Sequence, residues 1–368
     1  MNTTITSFGF IGLGLIGGSI ARTIREKMPD SHIVAYDINR DTLNAASSEH
    51  IADVVTDCID ASFADCDYVF LCAPVRKNEE NLQAVKKVIS NHCLLTDVGS
   101  VKTGIHNAAK RAGLENQFIG GHPMAGSERV GFLNAKTVLL QDAYYILTPT
   151  ASVSPEKVEA YQNLVKTLGA IPLVLNYEQH DLITAAISHL PHVVASSLVN
   201  LVRDRDSEDG IMKMVAAGGF KDITRIASSS PVMWQQICLT NAENIKSMLS
   251  DYIHSLLTVQ KQIENLDADA LYEFFDGARI YRDSFINASS GPIKKNYSFN
   301  VDISDETGAL ASITTMLALN GISIKNVGIV HNREAQNGIL QIEFYEEAAV
   351  LKAQKLLQDK NYTVYTLN

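Results

Sequence analysis

The sequence lacks the features that mark several classes of protein. It has five cysteines among 368 residues, an odd number, and no two of them form a CxxC pair. Its ten histidines form no HExxH motif or similar cluster. We therefore expect reduced thiols rather than a disulfide framework, and no metal ion at a structural or catalytic site.

Basic charge and long apolar runs are also scarce. The formal net charge is −10, which argues against nucleic acid or an anionic membrane as the main partner. No apolar run approaches the roughly 18 residues of a membrane helix. The first ten residues, MNTTITSFGF, lack the basic flank and apolar core of a signal peptide. These observations predict a cytoplasmic protein without a membrane segment.

The first half of the chain alternates apolar strands with amphipathic helices. The segments 7–11, 32–37, 66–74 and 92–100 are typical of buried strands, and a helical pattern follows each. Such alternation indicates a parallel sheet with helices on both faces. We therefore predict an α/β domain of the Rossmann type over residues 1–176.

The pattern then becomes helical over residues 177–288. A long helix is predicted over 177–202, with a kink at Pro191 because proline removes a backbone hydrogen bond. Further helices are predicted from Ser230–Pro231 to about Asn265 and over 267–286. A block this elongated cannot bury its own apolar faces, which predicts a homodimer that shares a helical core.

A linker at residues 287–296 separates this block from a small third domain, residues 296–368. Its pattern predicts the order βαββαβ, the split-βαβ arrangement of ferredoxin-like domains. The predicted strands are 297–304, 322–331, 338–345 and 361–367, and the predicted helices are 307–319 and 346–359.

The turn after the first strand predicts a dinucleotide site. Residues 12–17, GLGLIG, form a GxGxxG motif between a strand and a helix, where glycines let a pyrophosphate approach the helix N-terminus. Asp37 ends the second strand, where its carboxylate can bind a ribose diol and would repel a 2′-phosphate. This favours NAD, although nearby Arg40 leaves NADP open. The predicted cofactor-binding residues are Gly12, Gly14, Leu15, Ile16, Gly17, Asp37, Cys72, Ala73, Pro74 and Val75.

Two polar side chains follow successive strands of this sheet: Ser100 in DVGSVK and His122 in GGHPMAGSE. Ligands of such folds bind at the carboxyl ends of the strands. A neutral histidine can take a hydroxyl proton while hydride leaves the same carbon, and Ser100 can orient that hydroxyl. The glycines and proline around His122 indicate a stiff loop, so a satisfied loop histidine remains the alternative. Lys102 is a weaker candidate for the same cleft.

The helical block adds polar candidates. Ser188 and His192 in ISHLPH are four residues apart and can share a helix face. In GGFKDITRIA, Arg225 can bind a carboxylate in bidentate fashion, Asp222 can hold its guanidinium, and Lys221 lies one turn before it. The alternatives are ordinary core or solvated histidines and a surface ion pair.

Taken together, GLGLIGGS, DVGSVK, GGHPMAGSE, SHLPH and GGFKDITRIASSSPVMW resemble, in this order over residues 7–285, the prephenate dehydrogenases of tyrosine biosynthesis. The resemblance implies that His122 is the catalytic base and that Ser100 orients the ring hydroxyl of prephenate. It also implies that Arg225 binds a substrate carboxylate and that Trp234 reaches a neighbouring subunit's pocket. The substrate-binding residues that follow are Arg225, His192, Ser188, Lys221, Asp222, Ser127, Glu128 and Trp234.

The tail resembles an ACT regulatory domain, through its βαββαβ order and DETGAL at residues 305–310. The resemblance implies an amino-acid effector held between two such domains, and tyrosine is the natural feedback ligand. The regulatory positions that it implies are Asp305, Gly308, Ala309, Ile324 and Asn326.

Three alternatives remain beside NAD-dependent oxidative decarboxylation of prephenate to 4-hydroxyphenylpyruvate. Arogenate dehydrogenase performs the same chemistry, but the ammonium group of arogenate would favour an acidic neighbour, whereas His192 suits a keto acid. A β-hydroxyacid dehydrogenase usually relies on a catalytic lysine. A non-catalytic sensor with Rossmann and ACT domains would not need His122, Ser100 and Arg225 together.

Overall fold

The chain forms two compact units in the computed structural model, residues 1–265 and 266–368. The structure describes residues 6–127, 129–287, 297–304, 306–332 and 337–366. Two predicted site residues, Glu128 and Asp305, lie outside these ranges, as does most of the predicted linker.

The first unit contains an eight-stranded sheet in the order β3-β2-β1-β4-β5-β6-β7-β8. Its strands are β1 (Ser7–Ile11), β2 (His32–Tyr36), β3 (Val54–Thr56), β4 (Tyr68–Leu71), β5 (Leu94–Asp97), β6 (Phe118–Pro123), β7 (Tyr144–Pro149) and β8 (Ile171–Val174). Strands β2 and β4 lie on opposite sides of β1, so the order in which strands are added to the sheet reverses at β1. Ligands of such folds bind at this point.

The prediction of a parallel sheet holds from β3 to β6 but is wrong at β7, which pairs antiparallel with β6. A parallel neighbour needs a crossover that traverses a face of the sheet. Among its described residues, the connection from β6 to β7 contains two short 3₁₀ turns, Phe132–Asn134 and Thr137–Leu140. Both turns pack on the first helix of the chain. The chain therefore returns directly beside β6 in the opposite direction.

Five helices accompany this sheet: α1 (Leu15–Lys27), α2 (Arg40–Ser48), α3 (Val75–Val85), α4 (Thr103–Ala112) and α5 (Pro155–Thr167). Alternate residues of β2 enter two separate apolar cores. Ile33 and Ala35 lie in the first core, and Val34 lies in the second. Residues of α1 and α5 fill the first core, and residues of α3 and α4 fill the second. Helices therefore cover both faces, as predicted for an α/β domain.

The rest of the first unit is helical: α6 (Tyr177–Thr184), α7 (Leu190–Arg205), α8 (Ile211–Val215), α9 (Gly218–Thr224), α10 (Pro231–Thr240) and α11 (Ala242–Glu264). A π-helical turn, Ala185–His189, joins α6 to α7 where a kink is predicted, because Pro191 cannot donate a backbone hydrogen bond. The predicted single helix from Pro231 to Asn265 is wrong. The helix breaks at Asn241, between α10 and α11. The buried side-chain amide of Asn241 donates to the carbonyl of Asp181 at 2.8 Å.

Within the 29-residue helical stretch Tyr177–Arg205, an 18-residue window has a mean hydropathy of 1.5, long and apolar enough by length and composition to cross a membrane. The expectation that no stretch reaches this level is therefore wrong. Its polar side chains nevertheless bond to other elements of the same unit: Asp181 to the backbone of α4 and His189 to Asn241. Hydrogen bonds of this kind satisfy the polar groups of a helix inside a folded domain.

One chain leaves much of the helical block uncovered. Ile253, Leu256 and Leu257 on α11 are each about half exposed, and Met214 and Val215 of α8 are more so. Large contiguous apolar surfaces on helices are typical of subunit interfaces. The exposed side chains agree with the predicted shared core between two chains.

The second unit begins with α12 (Ala268–Asn287). It continues with β9 (Tyr297–Ser304), α13 (Ala309–Leu319), β10 (Ile324–Asn332), β11 (Asn337–Phe344), α14 (Glu347–Gln358) and β12 (Val364–Thr366). The strands form an antiparallel sheet in the order β10-β11-β9-β12, and α13 and α14 contribute to its apolar core. The predicted βαββαβ order is confirmed.

Strand β6 contains two glycines because both of its sides are occupied. A Cβ atom on Gly120 would overlap the hydroxyl of Thr148 and lie 2.9 Å from Nε2 of His106. A Cβ atom on Gly121 would lie 2.6 Å from the carbonyl oxygen of Asp97. His122, predicted to stand in a loop, is instead the fifth residue of this strand. The glycines let β6 approach its neighbours closely enough to fix the His122 backbone.

Gly121→Ala should lower the free energy of unfolding by about 1–3 kcal/mol, because backbone cannot move aside as a flexible side chain can. Urea unfolding measures the change. Gly126→Ala is the matched control, since its Cβ atom would meet no heavy atom within 4 Å. Equal stability of the two variants would contradict the close packing inferred for β6.

Candidate active site

The turn between β1 and α1 has the shape that a pyrophosphate requires. Gly12 has a φ of +101°, which favours glycine, and a Cβ atom on Gly17 would lie 2.7 Å from the carbonyl oxygen of Gly12. The Cβ position of Gly14 meets no heavy atom within 4 Å. Helix α1 has neither a side-chain N-cap nor an acidic residue in its first turn, so its first N–H groups remain open to an anion.

Asp37 is held at the end of β2. One carboxylate oxygen accepts from the backbone N–H of Leu13 at 2.8 Å, and the other accepts from that of Asn39 at 2.8 Å. The remaining lone pairs can accept from a ribose diol. Arg40, which left NADP open, pairs with Asp57 at 3.1 Å on the surface. Both observations favour NAD.

The other predicted cofactor residues surround this turn. Leu15 and Ile16 begin α1, and the segment from Cys72 to Val75 follows β4, the neighbour of β1. Asn78, a residue that the sequence did not single out, is buried and holds this segment. It accepts from the N–H of Ala73 at 3.1 Å and donates to the carbonyl of Leu71 at 3.1 Å.

His122 stands at the end of a row of side chains. Its Nδ1 lies 2.8 Å from Nε2 of His180, and Nδ1 of His180 lies 2.8 Å from Oδ1 of Asp181. His180 and Asp181 are both buried, on the first turns of α6. Sequence reasoning missed them, because HD within YEQHDL carries no recognised spacing, and the only signal was two polar residues before an apolar run.

Beneath β6 lies a buried ion pair. Lys102 Nζ donates to the carboxylate of Asp97 and to the carbonyl of Gly121, the latter at 2.8 Å. Asp97 also accepts from the N–H of Gly99 at 2.9 Å and from that of Gly121 at 3.2 Å. Lys102 is therefore engaged in structure, and its prediction as a group in the substrate cleft is wrong.

The surroundings keep the His122 imidazole neutral. Burial lowers the pKa of His122 well below its usual value, and the neighbouring His180 and the charge of Lys102 lower it further. Burial also lowers the pKa of His180 and, to about 4, that of His189. A neutral imidazole is the form that can accept a proton.

Ser100 lies in the turn after β5, the parallel neighbour of β6, and is half-buried. The structure gives its hydroxyl no hydrogen-bond partner among the described residues. Ser127 follows β6 on the exposed loop, where its hydroxyl accepts from the N–H of Arg129 at 3.1 Å.

On the helical side, His192 stacks on Trp234 with 3.6 Å between ring centroids. Its Nδ1 donates to the carbonyl of Ser188 at 2.9 Å, so Ser188 contributes its backbone here. Burial lowers the pKa of His192. The indole N–H of Trp234 is buried and has no partner within the described part of the chain. Trp234, expected to reach a neighbouring subunit, contacts His192 of its own chain.

Arg225 begins a 3₁₀ turn directly after α9. The positive charge of Arg225 contributes to lowering the pKa of His192, so the guanidinium acts electrostatically on this imidazole. Lys221 and Asp222 are exposed on α9. The predicted pairing of Asp222 with Arg225 is not formed, because α9 ends at Thr224 and the α-helical spacing is lost. The described residues leave the guanidinium of Arg225 without an ion-pair partner.

Comparison with known proteins extends this picture. The model of the prephenate dehydrogenase nucleotide-binding domain matches residues 20–173, and that of the prephenate dehydrogenase dimerization domain matches residues 176–277. The prephenate dehydrogenase of Bacillus subtilis (strain 168) is 36% identical over 360 residues, 97% of each chain. The chain belongs to the prephenate dehydrogenase family. The predicted family and its nucleotide-binding oxidoreductase domain are thereby confirmed.

Solved members of the prephenate dehydrogenase family share the fold. The prephenate dehydrogenase of Aquifex aeolicus, in complex with hydroxyphenyl propionate and NAD+, is 30% identical, with a TM-score of 0.72, and the match covers 77% of this chain and 99% of that one. Synechocystis arogenate dehydrogenase is 27% identical, with a TM-score of 0.69 and coverage of 76% and 100%.

Buried neutral histidines make the protein sensitive to acid. Burial lowers the pKa of His106 to about 3 and that of His189 to about 4 in the folded state. The unfolded chain binds these protons near pH 6.5. Stability should therefore be complete above pH 6.5 and fall as the pH drops toward 4, by up to about 1.4 kcal/mol per pH unit for each such group.

Urea unfolding at pH 7 and pH 4.5 measures this loss. His106→Gln can keep a hydrogen bond to Thr148, which lies 2.9 Å from Nε2 of His106, and cannot become charged. The loss between the two pH values should be smaller in this variant. An identical loss in the variant would show that His106 does not contribute.

Proposed function

We propose that the protein catalyses the NAD-dependent oxidative decarboxylation of prephenate to 4-hydroxyphenylpyruvate, in the cytoplasm and as a homodimer. The observation that carries the proposal is a neutral His122 at the same edge of the sheet as the turn that fits a dinucleotide, together with an Arg225 guanidinium that has no ion-pair partner among the described residues. Family membership and the Aquifex aeolicus complex with NAD+ support the choice of cofactor.

The chemistry requires one proton acceptor. Bound NAD+ supplies the acceptor for hydride, which leaves C4 of the prephenate ring. Nε2 of His122 takes the proton of the C4 hydroxyl as that carbon becomes ketone-like. The C–C bond to the C1 carboxylate then breaks, carbon dioxide departs, and its electron pair flows through the ring to the C4 oxygen. The phenolate so formed takes the proton back, and an aromatic ring results.

The remaining residues have roles in binding. Ser100 orients the C4 hydroxyl, and Arg225 binds a substrate carboxylate in bidentate fashion. His192, stacked on Trp234, contacts the pyruvyl side chain. The residues proposed around the mouth of the site are Ser188, Lys221, Asp222, Ser127 and Glu128.

Arogenate dehydrogenase is the second candidate, because the Synechocystis arogenate dehydrogenase shares the fold. Arogenate carries an ammonium group where prephenate carries a keto group. The neutral His192 carries no negative charge to balance an ammonium group. This favours prephenate.

The proposal is tested by following NADH and carbon dioxide with purified protein, using prephenate or arogenate and NAD+ or NADP+. Prephenate with NAD+ should give the highest kcat/KM and one carbon dioxide per NADH. NADH formed without carbon dioxide would instead favour a β-hydroxyacid dehydrogenase, and preference for arogenate would favour the second candidate.

His122→Asn should lower kcat by about 10³-fold, because asparagine cannot accept the hydroxyl proton. Its affinity for NAD+ should be unchanged, as measured by fluorescence titration. His92→Asn is the matched control, since His92 is an exposed histidine near the start of β5. Near-normal turnover of His122→Asn would remove His122 from the role of base.

We further propose that residues 296–368 form an ACT-like regulatory domain that binds tyrosine. Its βαββαβ order supports this, as does the open backbone at Gly308, which has a φ of +93° and precedes Ala309 at the start of α13. Ile324 and Asn326 lie on β10, an edge strand that a second copy could extend. Asp305, which lies outside the described residues, is the remaining proposed residue of this site.

Tyrosine titrated against the full-length protein should inhibit it, whereas a version that ends near residue 290 should be far less sensitive. That version retains the whole matched dimerization domain, residues 176–277. Its unchanged KM for prephenate would serve as the control for an intact active site. Equal inhibition of both proteins would place tyrosine in the active site.

A further inference from the structure

The tautomer of a catalytic histidine decides whether it can act as a base. A neutral imidazole has one N–H and one lone pair, and only the nitrogen with the lone pair accepts a proton. His122 contacts His180 through Nδ1, so a base at this position must carry its lone pair on Nε2. Something in the structure must keep the proton on Nδ1.

Asp181 decides which atom donates in each hydrogen bond of the row from Asp181 through His180 to His122. Oδ1 accepts from the N–H of Lys102 at 2.8 Å, and Oδ2 accepts from the N–H and hydroxyl of Thr103 at 2.8 and 2.6 Å. Burial opposes ionisation of Asp181, but hydrogen bonds from His180, Thr103 and Lys102 outweigh burial and keep its pKa below the usual value. An ionised carboxylate can only accept, so Nδ1 of His180 must donate to it.

The next bond follows from this one. Because the proton of a neutral His180 is on Nδ1, its Nε2 has the lone pair. Nδ1 of His122, 2.8 Å away, must therefore donate to it. That leaves the lone pair of His122 on Nε2. The two rings meet edge to face, with 5.0 Å between centroids and 65° between planes.

A charged His180 would reverse this outcome. With protons on both nitrogens, it would donate to Nδ1 of His122 and place the His122 proton on Nε2, where it blocks proton acceptance. Burial and the positive charge of Lys102 both disfavour a charged His180 and lower its pKa. Lys102 thus supports the tautomer as well as β6, and together with burial it outweighs the negative charges of Asp181 and Asp97, which raise the pKa of His180.

We propose that His180 and Asp181 are positioning residues, which fix His122 in the tautomer that carries its lone pair on Nε2. They act through His122 and touch no reacting atom. The inference rests on the proposed role of His122 as the base. Asp181 also caps the N-terminus of α4. Its contribution to the stability of the fold must therefore be measured separately from its effect on the tautomer of His122.

Asp181→Asn separates the two roles. Its amide oxygen, in place of Oδ2, can still accept from the N–H and hydroxyl of Thr103, while its NH₂ group, in place of Oδ1, faces Nδ1 of His180 and loses the bond from the N–H of Lys102. The proton of His180 then moves to Nε2, and that of His122 moves to its own Nε2. We expect kcat to fall by about 10³-fold, as for other histidine bases given the wrong tautomer, with KM and NAD+ affinity changed by less than about threefold.

Thr103→Val is the matched control. It removes the 2.6 Å hydrogen bond from the Thr103 hydroxyl to Asp181 but leaves the Asp181–His180–His122 row intact. It should lower the urea midpoint with kcat within about threefold of the wild type. If Thr103→Val and Asp181→Asn lost kcat in parallel with stability, Asp181 would have only a structural role and the proposal would be wrong.

Nitrogen NMR of the full-length protein labelled with ¹⁵N in its histidine rings reads the tautomer directly and without substrate. His122 signals are assigned by their loss in His122→Asn. The wild type should show a protonated Nδ1 and an unprotonated Nε2, and Asp181→Asn should show the reverse. An unprotonated Nδ1 in the wild type would overturn the proposal even if Asp181→Asn failed to fold. Because no substrate is used, this result stands whether or not prephenate is turned over.

Discussion

The carboxylate of Asp181 accepts hydrogen bonds from both of the elements that it joins. Lys102 and Thr103 donate to it from the start of α4, and His180 donates from its own helix α6. The contact therefore attaches the helical block to the sheet at the point where β5 and β6 end. Any shift of α6 relative to α4 would move His180 and, through it, the ring of His122. Domain packing and catalytic geometry thus depend on one buried anion.

That dependence has an energetic basis. Asp97, Lys102, His180 and Asp181 are all removed from water, and removing one member of a buried pair costs about 3–5 kcal/mol because its partner is left uncompensated. Each group here has partners for its polar atoms, so the network is stable only as a whole. Partial satisfaction would be worse than an apolar interior. The glycines of β6 belong to the same constraint, since Gly121 bonds through its backbone to both Asp97 and Lys102.

The sequence predicts what is local and misses what depends on packing. The GxGxxG turn, Asp37, the strands β1, β2, β4 and β5 and the βαββαβ tail could be predicted, because their signals lie within a few residues or in periodicity. The contact of His122 with His180 spans 58 residues and exists only once α6 docks on the sheet. The side chain of Asn241, at the break between α10 and α11, likewise bonds to the carbonyl of Asp181, 60 residues away, and no local pattern predicts that contact. The resemblance to a family names His122 but does not supply the neighbours that prepare it.

The fit between this network and the proposed reaction lies in the fate of the proton. Prephenate loses hydride and carbon dioxide, and the proton that His122 removes from the C4 hydroxyl returns to the same oxygen when the ring becomes aromatic. The base therefore needs no net exchange with solvent during a turnover. A partly buried histidine with a lowered pKa holds such a proton only briefly and releases it readily to a phenolate, which is the stronger base. Burial around His122 thus serves the reaction: it keeps the imidazole neutral beforehand and favours return of the proton afterwards.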